Sequence, residues 1–250
     1  MTAAVSPPTD WPHLREWRHA ERRRLIAARE AVDPAIRRDW NAAITASLLA
    51  AFGALERCII GFCWPIRGEF DARHAMRHWR QRGAVTALPV VVAPDARLAF
   101  RAWRPGMALA RGVMDIPYPA AGASIVPDAC VVPVNGFDAA GYRLGYGGGF
   151  FDRTLAHLER RVLAIGVGYA SARLATISPQ PHDIPMDFIV TETNLYACDG
   201  GALRAVTPAE AAAAVDRLFA IRALPRRAAG ALSSPVCYAG EFPGTFGEEH

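Results

Sequence analysis

Two short segments hold the residues best suited to chemistry. The first runs Gly141-Tyr142-Arg143-Leu144-Gly145-Tyr146-Gly147-Gly148-Gly149-Phe150-Phe151-Asp152-Arg153, between an apolar run and a helical pattern. Glycines let the backbone approach a ligand closely, and the N-terminus of a following helix offers N–H groups to an anion. Arg143 and Arg153 can add forked contacts to phosphate. By its residues alone the loop is either a phosphate cradle or a long turn whose glycines meet backbone demands. A Walker loop is excluded, because it needs Gly-Lys-Ser/Thr and the chain contains no lysine. A dinucleotide fingerprint is excluded as well, since Phe150 stands where its third glycine belongs.

Asp152 falls in the first turn of the helix after this loop. It is either a favourable dipole partner or a ligand for magnesium, which on a nucleotide is held by one or two carboxylates. The second segment, Pro179-Gln180-Pro181-His182-Asp183-Ile184-Pro185-Met186-Asp187, offers a second carboxylate in Asp183. Both segments follow apolar, strand-like runs, so both are expected at the carboxyl edge of one sheet, where α/β proteins bind ligands. Arg18 and Arg22, one turn apart on a predicted helix, can face a common anion.

The elements that must position these groups follow from periodicity. Leu14–Glu30 is a predicted helix with an arginine stripe at Arg15, Arg18, Arg22 and Arg29. Asp33-Pro34 starts a second helix that carries Ile36, Trp40, Ile44, Leu48 and Ala51 on one face. Strands are expected over 57–63, 85–93, 98–103, 129–134, 162–169 and 188–191, with helices ending near Gln81 and over 150–160. Residues 104–127 read as loop. Thr207-Pro208-Ala209-Glu210 is a capping box that opens a last helix to about Ile221. The alternation predicts a three-layer α/β/α fold with a mostly parallel sheet. Residues 1–12 are expected to be a disordered lead, 13–222 one domain, and 223–250 a flexible tail.

Composition narrows the class. The 250 residues are 52% hydrophobic and 21% charged, an ordinary globular balance. No apolar run is long enough to span a membrane, and the polar start does not look like a secretory signal. Five cysteines with no CxxC pair argue against a disulfide framework or structural zinc and for a reducing, cytoplasmic setting. The net charge of +4 comes from arginine, concentrated over 15–38, either as a solvated face or for an anionic partner. Acids interleave with those arginines and no recognition module is present, so nucleic acid is not the expected partner.

Pro133-Val134-Asn135-Gly136-Phe137-Asp138, the Arg143–Arg153 loop, and Pro181-His182-Asp183 through Asp187 to Thr191-Glu192 together resemble the signature of 5-formyltetrahydrofolate cyclo-ligases. The resemblance covers about residues 13–195. It implies the α/β fold of the sugar-phosphate isomerase and CoA-transferase superfold, with ATP and Mg²⁺ as cofactors. It also implies that 5-formyltetrahydrofolate is cyclised to 5,10-methenyltetrahydrofolate through a phosphorylated formyl group, by a monomer or homodimer.

The resemblance also implies roles. Arg18 and Arg22 meet the ATP phosphates. Arg143, Leu144, Gly145, Tyr146, Gly147, Gly148, Gly149, Phe150 and Phe151 cradle ATP. Arg143 and Asp152 are the catalytic residues, and Asp152 and Asp183 hold the metal. Glu69, Met114, Phe150 and Phe151 meet the folate. The sequence departs from the family where Arg18 replaces a lysine, Phe150-Phe151 replaces a tyrosine pair, Met114 replaces a tryptophan, and Trp64-Pro65-Ile66-Arg67 precedes the acidic loop. These departures fall mostly on the folate side. They leave open a paralogue that binds nucleotide but acts elsewhere.

Overall fold

A computed structural model describes residues 7–8, 10–158 and 161–225. The expected lead falls mostly outside them, and so does the tail from 226 onward.

Helix α1 (Trp11–Glu30) starts three residues earlier than periodicity suggests, because Asp10 caps it through the backbone N of His13 and Pro12 fits its first turn. Helix α2 (Pro34–Ala51) is capped by Asp33 as expected. Strands β1 (Ile59–Phe62), β2 (Val85–Val91) and β3 (Leu98–Trp103) follow, with α3 (Arg73–Gln81) between the first two. Within the expected loop lies a small hairpin, β4 (Leu109–Arg111) with β5 (Pro117–Pro119). Next come β6 (Ala129–Pro133), the short pair β7 (Gly136–Phe137) and β8 (Arg143–Leu144), and α4 (Phe150–His157). The remaining elements are β9 (Leu163–Val167), β10 (Phe188–Val190), β11 (Leu195–Asp199), β12 (Ala202–Ala205) and α5 (Pro208–Ile221).

Eight strands form the main sheet in the order β12-β11-β10-β9-β6-β1-β2-β3. The five from β10 to β2 are parallel; β3 and β11 run antiparallel to their inner neighbours. One face packs Ile44 and Leu48 of α2, Met76 and Trp79 of α3, and Val215 and Phe219 of α5 against the sheet. The other face packs Leu155 of α4 and Leu25 of α1 on Val132, Ile189 and Phe100. The result is the expected three-layer α/β/α arrangement.

The folded part extends beyond the expected boundary at 222: Leu224 is buried in the first core. No helix among the described residues is long and apolar enough to cross a membrane.

Candidate functional site at the carboxyl edge of the sheet

β6 and β9 are parallel neighbours, so the loops leaving their carboxyl ends emerge side by side. After β6 the chain closes the β7–β8 pair, enters the glycine loop and begins α4 at Phe150. Asp138, fully buried, ties this turn together. One of its oxygens accepts from Ala140 N and Tyr142 N, and the other from Ile177 N in the loop after β9. Gly147 and Gly149 have φ of 97° and 64°, values that carry no penalty only in glycine. Leu144 is buried, so that position offers only backbone.

The second loop joins the first through Asp152, whose Oδ1 accepts from Ile184 N at 3.0 Å. The same Oδ1 lies 3.1 Å from Arg143 Nη1, which also donates to Ile184 O at 2.9 Å. On the other side of Ile184, Asp183 Oδ2 accepts from Gln180 N at 2.7 Å and from Arg18 Nη2 at 2.6 Å. Each aspartate is therefore anchored through one oxygen by a backbone N–H and an arginine. Asp152 Oδ2 and Asp183 Oδ1 accept no hydrogen bond among the described residues, though His182 Nε2 lies 3.9 Å from the latter. Two carboxylates, each anchored by one oxygen, suit a hard cation. No three acidic, histidine or cysteine side chains group into a metal cage among the described residues. A magnesium ion would take its remaining ligands from phosphate and water.

Helix α1 supplies the arginines. Arg18 is buried and also donates to the carbonyls of Ile177 and Ser178 at 3.1 and 2.8 Å. Arg22 donates to Gly145 O at 2.9 Å, and burial and the neighbouring Arg18 lower its pKa from the usual guanidinium value. An open groove of about 630 Å³ runs between α1 and the glycine loop, lined by Arg15, His19, Arg22, Arg23, Tyr146 and Gly147.

A third segment arrives from the end of β1. Buried Glu69 accepts from Ile66 N and, through Oε1, from the Tyr146 hydroxyl at 2.7 Å. Burial raises the Glu69 pKa, against the lowering effect of Arg29 and Tyr146. Burial and the Glu69 carboxylate together push the Tyr146 phenol well up. Arg29 and Asn135, both buried, complete this cluster, and sequence reading gave neither a role at the site.

The aromatic pair packs inward: Phe150 and Phe151 lie against the second core, with Arg153 5.1 Å from the Phe150 ring and Arg143 5.9 Å from that of Phe151. Gly148 fits because the Phe150 ring covers it; a Cβ there would come within 2.8 Å of that ring. Met114 does not join the cluster. It is 51% exposed at the tip of the β4–β5 hairpin, with a φ of 57°.

The sequence profile described as the 5-formyltetrahydrofolate cyclo-ligase family matches residues 14–192. A 5-formyltetrahydrofolate cyclo-ligase of Mycolicibacterium smegmatis is 29% identical over 175 residues, 67% of this chain and 89% of that protein. The Escherichia coli K12 protein of that name is 27% identical over 136 residues, 52% of this chain and 75% of the relative. A solved 5,10-methenyltetrahydrofolate synthetase of Aquifex aeolicus superposes with a TM-score of 0.63 at 25% identity, covering 75% of this chain and 96% of that one. One from Mycoplasma pneumoniae gives 0.58 at 20% identity, covering 70% and 98%, and supports the shared fold. The glycine loop, the paired aspartates and the α1 arginines all lie inside the matched span, and the chain belongs to the 5-formyltetrahydrofolate cyclo-ligase family.

Proposed function

We propose that this protein cyclises 5-formyltetrahydrofolate to 5,10-methenyltetrahydrofolate at the expense of ATP, with magnesium, in the cytoplasm. The observation that carries this reading is the convergence of three segments on α1. Arg22 holds the glycine loop at Gly145, Arg18 holds the second loop at Ser178 and Asp183, and Arg29 reaches the Glu69 segment.

The chemistry asked of the protein is mainly positioning and charge stabilisation. Bound Mg-ATP supplies a phosphoryl group that turns the formyl oxygen into a good leaving group. N10 of the folate then attacks the formyl carbon, N10 loses its proton, and phosphate departs. Arg18, Arg22, Arg143 and the loop N–H groups face the phosphates, while Asp152 and Asp183 present their second oxygens to the metal. Glu69 meets the folate, and Tyr146 of the nucleotide loop donates to it. The Phe150-Phe151 rings supply an apolar wall without the two hydroxyls of a tyrosine pair.

The test is the appearance of methenyltetrahydrofolate absorbance on mixing the protein with 5-formyltetrahydrofolate, magnesium and ATP. A rise that needs all three supports the proposal. No rise with ATP still bound would move the protein to a nucleotide-binding paralogue with another substrate.

A further inference from the structure

Arg29 is an arginine near the end of an arginine-rich helix, yet it is buried and each of its three guanidinium nitrogens reaches a different segment. Nε donates to Arg67 O at 2.9 Å, in the segment between β1 and α3 that carries Glu69. Nη1 donates to Asn135 Oδ1 at 2.8 Å, in the turn leaving β6. Nη2 donates to the Tyr146 hydroxyl at 3.0 Å, in the glycine loop, and lies 3.8 Å from Glu69 Oε1. The Tyr146 hydroxyl passes the link on, donating to that same Glu69 oxygen. A planar fork with fixed donor directions can join three such partners; a lysine ammonium cannot meet all of them in this geometry.

We infer that Arg29 is a positioning residue that couples the nucleotide half of the site to the folate half, so that filling either half tightens binding in the other. This rests on the function proposed above. Nucleotide binding to the glycine loop fixes Tyr146, Tyr146 and Arg29 fix Glu69, and Glu69 meets the folate. By linkage the effect is reciprocal, since any factor by which folate improves nucleotide affinity must appear in the other direction.

The groups around Glu69 give a second handle. They are Arg29 from α1, Tyr146 from the glycine loop, Cys63 at the end of β1, and Tyr169 after β9. Arg29 favours the ionised carboxylate against burial, which favours the protonated one. Loss of its charge therefore moves Glu69 protonation to higher pH, and the acid limb of the activity profile moves with it.

The experiment measures Mg-ADP affinity by calorimetry with and without saturating 5-formyltetrahydrofolate, and the pH profile of turnover, in wild type and three full-length variants. Wild type is expected to bind Mg-ADP about fivefold or more tighter with folate present. Arg29→Lys keeps the charge and loses the fork, so coupling should collapse towards unity with the acid limb in place. Arg29→Gln should lose coupling and shift the acid limb upward. Tyr146→Phe removes only the bridging hydroxyl and should lose coupling even if the Arg29 variants fold poorly. Absence of coupling in wild type, or coupling retained in both Arg29→Lys and Tyr146→Phe, would overturn the inference. Failure of the proposed reaction would show separately, as wild type that forms no methenyl product.

Discussion

At the scale of single residues, the two aspartates share one arrangement, and this gives them a common expected phenotype. Asp152 is half-buried, with 20% of its side chain accessible and its partner Arg143 at 4%, and Asp183 is 10% accessible and paired with an Arg18 side chain at 7%. Asp152→Asn keeps the shape and the bond to Ile184 N but removes the charge a metal needs. Loss of an outer-sphere metal partner typically costs about 10- to 100-fold, so loss of a ligand should raise the magnesium requirement or lower turnover by about 100-fold or more. Magnesium titration of the cyclisation rate would check this, and an unchanged magnesium dependence would remove Asp152 from the metal site. Asp183→Asn should show the same kinetic defect, and each variant should lose about 1–3 kcal/mol of stability, read from the urea midpoint, because a buried arginine, Arg18 or Arg143, loses its charged partner.

Helix spacing brought Arg18 and Arg22 into view as candidates, the glycine loop did so for Arg143 and Asp152, and Asp183 gained weight only from the family resemblance. Arg29 was harder to see because an arginine in an arginine-rich helix resembles solvated surface. The signal was present, since Arg29 lies seven residues from Arg22 and eleven from Arg18, two and three turns along one face. Asn135 gave no such signal, because only the close approach of α1 to the β6 turn assigns it a partner.

Among the elements, those with strong local chemistry matched expectation. The capping box at the head of α5 forms in both directions, with Thr207 Oγ1 accepting from Glu210 N and Thr207 N donating to Glu210 Oε2. Thr207→Ala should cost about 1 kcal/mol. For a chain of this size that lowers the thermal midpoint by about 2–4 °C. The site is remote, so turnover should not change, and a lost activity would mean that α5 communicates with the loops.

The hairpin of β11 and β12 escaped sequence reading because β12 is largely exposed and alanine-rich, with no alternation to mark it. Its turn was legible in principle, since Gly200 and Gly201, at φ of 57° and 80°, supply the two positive values that a two-residue turn of this kind requires. The earlier start of α1 came from a proline that reads as loop beside Pro7 and Pro8 but serves as a first-turn residue behind Asp10.

For the whole molecule, α1 packs on the second core through Leu25 and is tied to the loops as well. Much of its hold runs through arginine bonds to loops: Arg18 to the segment after β9, Arg22 to Gly145, and Arg29 to Arg67, Asn135 and Tyr146. Helix and loops therefore hold each other in place, and a ligand that bridges them should stabilise the fold as a unit. At about a hundredfold excess over its dissociation constant, a ligand specific to the native state adds about 2.7 kcal/mol. At this chain length that corresponds to a rise of about 5–10 °C in the thermal midpoint. Mg-ATP should produce this rise in wild type. Asp152→Asn should lose most of it, because the proposed metal would lose one of its two carboxylates. Arg22→Ala should lose part, because one of the bonds between α1 and the glycine loop is gone. An equal rise in all three proteins would place the nucleotide away from α1 and these loops, and the carboxyl edge of the sheet would no longer be its site.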